Sequence, residues 1–333
     1  MDLISQNLPI IFAGLMALSI LAYVILDGYD LGVGILMARG DRSERDRMIA
    51  TIGPFWDANE TWLVLGIGLL LVAFPAAHGL ILTELYLPVA LMLLGLTLRG
   101  VAFEFRVKAQ TRFQNAWDRA FIGGSLLAAL TQGYMLGRYI MGFQAGLWQE
   151  AFALAAGFGL AAAYTFVGST WLIAKTEGTL QVRAVLWARA SLLLTLAGMI
   201  AVSLATPLVS PRIFDRWFSF PNIIGLASIP LMTGALFLSL WIFLRRMPRG
   251  DHSLDLVPFL GAMALFTLGF LGLAYSFYPY IVPEKLTIRA AASATESLWI
   301  ILLGAIFVLP FIAGYTAFSY YVFRGKAREL RYD

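Results

Sequence analysis

Apolar residues run through this chain in long blocks separated by short polar or basic connections, and blocks of about 20 residues match the length an α-helix needs to cross a bilayer core. Nine such spans are read near 8–37, 51–74, 79–98, 119–141, 150–174, 187–206, 223–245, 255–277 and 296–323. The expected fold is therefore all-α: an integral membrane protein of about nine transmembrane helices forming a single polytopic domain over 1–333. By count, eight spans divide into two four-helix bundles and leave one peripheral helix. The longest connection, 206–222, carries Pro207, Pro211 and Pro221 among aromatics and reads as a structured crossing. Pro88, Pro230 and Pro310 lie within or at the ends of spans and predict kinks, with neighbouring helices satisfying the freed carbonyls. The first block is too long for a secretory h-region and lacks a basic n-region, so it is expected to be retained.

Composition agrees, with 60% hydrophobic and only 13% charged residues. The absence of cysteine excludes disulfides, thiolate nucleophiles and cysteine-ligated metal centres. A net charge of +4 would suit nucleic acid, but the basic residues sit in short connections beside the spans, where orientation explains them better. Alternate connections carry Arg39, Arg42, Arg45 and Arg47, then Arg99, Arg106, Lys108, Arg112 and Arg119, then Lys175, Arg183 and Arg189. The same side receives Arg245, Arg246 and Arg249, and the tail adds Arg324, Lys326, Arg328 and Arg331, nineteen of the 24 basic residues. Arg138, Arg212, Arg216, Lys285 and Arg289 remain for the other side. This bias predicts the N-terminus outside and the C-terminus inside.

Acidic residues interrupt the first two spans. Asp27 and Asp30 are three apart, as are Asp57 and Glu60, so each pair shares a helical face. A carboxylate near mid-bilayer costs about 2.5–3.5 kcal/mol on insertion scales, so four in neighbouring helices need compensation within the protein. In the orientation above, Asp30 and Asp57 are each expected roughly 9–10 Å from the inner ends of their helices, with Glu60 deeper. A rising ladder of protonatable groups suits proton uptake. The structural alternative is that the carboxylates pair with arginines or cap backbone breaks at Gly28, Gly32 and Gly34. Trp56 falls on nearly the face of Glu60, while Trp62 is rotated about 140° from Asp57. Each tryptophan either packs against a partner or lines an apolar path. Asn59 lies between the acidic pair of the second span, and Arg99, Glu104 and Arg106 close the third, where they read as an interfacial ion network or part of the same uptake opening.

A b-type haem needs axial side chains, usually histidine or methionine. The two histidines, His78 and His252, are placed in loops at opposite membrane faces, so this chain alone is expected to hold no haem, and no paired-histidine metal site is seen.

The run Tyr23-Val-Ile-Leu-Asp27-Gly-Tyr-Asp30-Leu-Gly32-Val-Gly34, followed by Pro54-Phe-Trp56-Asp57-Ala-Asn59-Glu60-Thr-Trp62, resembles subunit II of the cytochrome bd quinol oxidases. Leu85-Tyr86-Leu-Pro88, Leu98-Arg99-Gly-Val-Ala-Phe-Glu104-Phe-Arg106 and Trp117-Asp118 before Phe121-Ile-Gly123-Gly124-Ser125 are similar too. So are Leu309-Pro310, Tyr315-Thr316 and Tyr320-Tyr321-Val-Phe-Arg-Gly325-Lys326 in the last span. The resemblance is strongest over residues 20–125, and the short length with Asn59-Glu60-Thr61 looks more like the cyanide-insensitive branch.

That resemblance implies a bacterial inner-membrane heterodimer in which a homologous subunit I carries the b-type and d-type haems and oxidises quinol. Subunit II stabilises the pair and contributes a proton route, with small single-helix accessory subunits and a lipid or quinone as further partners. It associates the aspartate at Asp57 with the proton path and the tryptophan at Trp62 with an oxygen route or its blockage, which makes Trp56 and Trp62 candidates for the vicinity of the partner's haem or an oxygen route, and Asn59, Arg99 and Glu104 candidates for the interface or entry. Ala58 and Ile67 replace glycines common in the family, and a bulkier residue at 67 either narrows an apolar route or repacks the helix. Read from the intramembrane acids alone, a proton-coupled secondary transporter fits as well. A purely structural assembly subunit is the third reading.

Overall fold

The computed structural model describes residues 3–220, 222–247 and 252–327. Pro221, Arg249, Arg328, Arg331 and Asp333 lie outside the described residues. The chain forms α1 (Leu3–Leu36), α2 (Arg42–Ile52), α3 (Trp56–Ala73), α4 (Pro75–Lys108), α5 (Thr111–Ile140) and α6 (Leu147–Lys175). There follow α7 (Gly178–Val209), α8 (Pro211–Phe218), α9 (Asn222–Arg245), α10 (Val257–Phe277), a hairpin of β1 (Tyr280–Val282) and β2 (Leu286–Thr287), α11 (Ile288–Ala291) and α12 (Thr295–Val322). Among the described residues nine helices are long and apolar enough to cross a membrane, as the hydropathy blocks predict. Within the crossing expected at 206–222, α7 runs on to Val209 and Pro211–Phe218 form α8.

Several spans start earlier than expected, α5 at Thr111 and α7 at Gly178 among them, and two further boundary shifts move site residues. The second span starts at Trp56 rather than 51, because Gly53-Pro54-Phe55 breaks the chain after a separate helix, α2. That helix is fixed by a capping box: the Glu44 amide donates to the Asp41 carboxylate at 2.9 Å, and the Asp41 amide donates to Glu44 at 3.0 Å. The Glu44 amide and the Ser43 hydroxyl hold the exposed Asp41 carboxyl below its ordinary range. The third span, expected to end near 98, continues as α4 to Lys108, so Arg99 sits inside a helix and not at its close. Pro88 has the expected effect, with the backbone leaving helical geometry at Leu85, φ −118° and ψ 16°. His78 belongs to the first turn of α4 and not to a loop, still at the end of a span.

The first four spans, α1, α3, α4 and α5, adjoin a second group formed by α6, α7, α9 and α10, and α6 seats against both α1 and α5. Backbone contact joins them: a Cβ at Gly32 of α1 would lie 1.8 Å from the Tyr164 carbonyl oxygen of α6, so only glycine fits. Gly28, Gly32 and Gly34 thus mark helix crossings within a continuous α1, not the backbone breaks one reading allowed. A second crossing, Gly95 against Gly124, lets α4 approach α5 so closely that a Cβ on Gly124 would meet the Arg99 amide at 2.8 Å. Arg99 is thereby held at the centre of the first group.

The ninth span, α12, is peripheral and packs against α3 and α1. The residues that follow it are clamped to the rest of the protein: Lys175 donates to the Phe323 carbonyl at 2.7 Å, the Ala327 amide to the Lys175 carbonyl at 2.8 Å, and Lys326 to Asp255 at 2.5 Å.

Candidate functional site

Arg99 of α4 is 2% exposed and reaches α1, where its Nη1 lies 2.6 Å from Asp27 Oδ1. The contact is an ion pair without the alignment of a hydrogen bond. Its Nη2 stands 3.7 Å from Glu60 of α3, whose side chain is 30% exposed. The Tyr23 hydroxyl lies beside Asp27 and accepts from Gln132 at 2.8 Å, while Tyr164 donates to the same amide at 2.7 Å. Four helices, α1, α4, α5 and α6, therefore build one polar chain through an apolar interior.

Asp30, one turn from Asp27, belongs to a second node. Asn59 of α3 donates to Asp30 Oδ2 at 2.8 Å and to the Tyr29 hydroxyl at 2.9 Å. Tyr320 of α12 donates to Asn59 Oδ1 at 3.1 Å and lies 2.7 Å from the Tyr29 hydroxyl. Around it, Tyr29 stacks on Trp171 at 4.3 Å and Phe55 on Tyr320 at 4.6 Å, and these rings shield the node.

Asp57 is placed otherwise than the sequence suggests. It stands in the first turn of α3, exposed on the surface of the chain, and does not meet Asp30; Asn59, two residues on, makes that contact. The helix N-terminus favours its negative charge. Asp57 also feels the charges of Glu104 and Arg99. Glu104 is exposed, so the expected network of Arg99, Glu104 and Arg106 is split. Arg106 instead joins Asp118 of α5 at 2.5 Å and Asp46 of α2 at 2.7 Å.

The tryptophans separate as their helical positions imply. Trp56 rests on Phe103 with ring centroids 5.1 Å apart, over the groove opened by Gly100. Trp62 is buried, 7% exposed, and its indole N–H meets no acceptor among the described residues, as in an apolar setting. Ile67 is 44% exposed and turns outward, so it does not repack the interior of this chain.

Three interior carboxyls, Asp27, Asp30 and Glu60, face one guanidinium. Arg99 can balance only one full negative charge, so the others require protons or an outside charge. Sequence reasoning missed Tyr23, Tyr29, Gln132, Tyr164 and Tyr320 as members. The available signal was polarity, since Gln132 and these tyrosines lie inside apolar blocks.

Fold and site together define a polytopic helical membrane protein with a buried, protonatable network. The family model of cytochrome bd terminal oxidase subunit II matches residues 8–323. The chain belongs to that family. It is 28% identical over 333 residues to cytochrome bd ubiquinol oxidase subunit 2 of Bacillus subtilis (strain 168), covering 94% of each. To cytochrome bd-I ubiquinol oxidase subunit 2 of Escherichia coli (strain K12) it is 27% identical over 359 residues, covering 94% of this chain and 93% of that one. Its fold is similar to that of a chain of the bd oxidase from Geobacillus thermodenitrificans, with a TM-score of 0.78, 16% identity, and coverage of 95% and 99%. The chain is a component of a quinol oxidase complex in the bacterial inner membrane, and family membership implies a subunit I partner that carries the haems.

Proposed function

We propose that this subunit conducts protons from the cytoplasm towards the oxygen-reducing site of its haem-bearing partner, while quinol releases its protons outside. The reading rests on one observation: Asp57 at the surface, Glu60 half-exposed one turn deeper, and Asp27 and Asp30 fully buried form a graded series around Arg99. Exposed carboxylates at Asp57 and Glu104, on spans of this length, are poorly placed against lipid. That face of α3 and α4 is where subunit I covers the chain, and there the series passes its protons on. Small accessory subunits and a bound lipid or quinone complete the assembly.

Asp30→Asn tests the interior end, because the amide keeps the shape of the side chain and cannot relay a proton. Haem content of the purified complex should be unchanged and quinol-driven oxygen consumption should fall severalfold. Full turnover would take Asp30 off the route. The specific support for a structural role is confined to Asp27, whose oxygen is already committed to Arg99 at 2.6 Å.

Uptake from the cytoplasm requires the orientation given by the basic connections. A reporter fused after Asp333 should be cytoplasmic and one at the N-terminus periplasmic. Both termini on one side would refute the nine-span topology.

A further inference from the structure

The hydrogen bonds at Asn59 can be counted to a definite sense. Asn59 carries two amide protons, and Tyr29 and Tyr320 carry one each. Tyr320 spends its proton on Asn59 Oδ1 at 3.1 Å, so the 2.7 Å contact between the two hydroxyls is donated by Tyr29. Tyr29 in turn accepts from Asn59 Nδ2 at 2.9 Å. The result is a closed ring, Asn59 to Tyr29 to Tyr320 and back to Asn59. The remaining amide proton is directed at Asp30 Oδ2, 2.8 Å away. A fixed acceptor, the Leu26 carbonyl 3.3 Å from Nδ2, favours nitrogen on that side of the amide.

The reverse sense re-pairs the ring at the loss of the Leu26 contact, whose carbonyl then faces an oxygen. With the amide turned over, Nδ2 donates to Tyr320, Tyr320 to Tyr29 and Tyr29 to Oδ1, and Oδ1 now faces Asp30, where it accepts from a protonated carboxyl and opposes an ionised one. The amide oxygen and nitrogen are nearly the same size, so the reversal changes no packing. Asn59, Tyr29 and Asp30 are fully buried and Tyr320 is partly buried, so the bonds from Asn59 to Tyr29 and Asp30 are shielded from solvent within the chain.

We propose that Tyr320 is a positioning residue: its hydroxyl closes the ring that aims the Asn59 amide at Asp30, and the sense of the ring follows the proton on Asp30. This deepens the proton-route reading and rests on it only for the effect on turnover. The ring reverses by rotation of one amide and two hydroxyls, and no bond to carbon, nitrogen or oxygen is made or broken beyond the transfer of the carboxyl proton itself. The peripheral helix α12 thus reaches into the centre of the proton-bearing cluster through a single atom.

The test uses the assembled oxidase and infrared difference spectra between acidic and alkaline buffer, in which the Asp30 carboxyl signal is the one lost in Asp30→Asn. Tyr320→Phe should move that signal and lower oxygen consumption severalfold at unchanged haem content. A signal that Tyr320→Phe leaves in place, or a parent complex with no Asp30 signal, overturns the inference. A moved signal with full turnover supports the ring and removes the proton-route reading; reduced turnover with an unmoved signal does the reverse. If Tyr320→Phe does not assemble, Tyr29→Phe opens the same ring from α1 without touching α12 and is judged on the same signal.

Discussion

Arg99→Met is expected to remove the assembled oxidase from the membrane. Asp27 is fully buried, its nearest charge is the Arg99 guanidinium at 2.6 Å, and methionine fills the space without replacing the charge. Breaking a buried pair from one side costs about 3–5 kcal/mol, because the remaining ion stays in the low-dielectric interior. A folded protein is stable by only about 5–15 kcal/mol in total, so the loss reaches assembly before it reaches turnover. Removing both charges together is often neutral. Asp27→Asn combined with Arg99→Met should therefore recover haem-containing complex that Arg99→Met alone does not yield. The measurement is haem per milligram of purified membrane, and a single variant with parental haem content would show that Asp27 is compensated elsewhere.

Asp57→Asn should give the opposite pattern, full assembly with little turnover. Asp57 is exposed on this chain and has no ion-pair partner among the described residues, and its interaction with the start of α3 is worth about 0.3–1 kcal/mol, which a stable complex tolerates. Asparagine keeps the size and polarity of the side chain but cannot take up and release a proton at neutral pH. Oxygen consumption should fall severalfold or more, and Glu60→Gln should give a weaker or similar loss, according to whether water bypasses it. Haem content and oxygen uptake measured on one preparation separate the two effects. An assembled Asp57→Asn complex with parental turnover and proton uptake would rule out Asp57 as a relay.

The contrast between these two variants reflects what hydropathy and spacing convey. The nine spans were legible because each apolar block has no stable place except lipid. The start of the second was not, because Gly53-Pro54 lies in an otherwise permissive sequence and α2 continues the helical pattern before it. The acids were legible as anomalies, since charge within an apolar block stands out whatever its partner. Their partners were not: Asp27 and Arg99 lie on different helices, and periodicity within a helix carries no information about which face of a distant helix it meets. Asn59 is expected from the sequence at the interface or entry with Arg99 and Glu104, and it is the residue that ties α3 to α1 and α12. Tyr320, contributed by the last span, had no local mark beyond its motif.

The clamp on α12 also has a consequence in time. Tyr29 and Tyr320 are 291 residues apart, and at about 5–20 residues per second the ribosome needs roughly 15–60 s to travel between them. For that interval Asp30 and Asn59 are in the membrane without the hydroxyl that completes their hydrogen bonds. α12 and the lysine contacts at and just beyond its end close the interior only after Tyr320 and Lys326 have been made. A chain that stops before Tyr320 has an open polar seam at its centre.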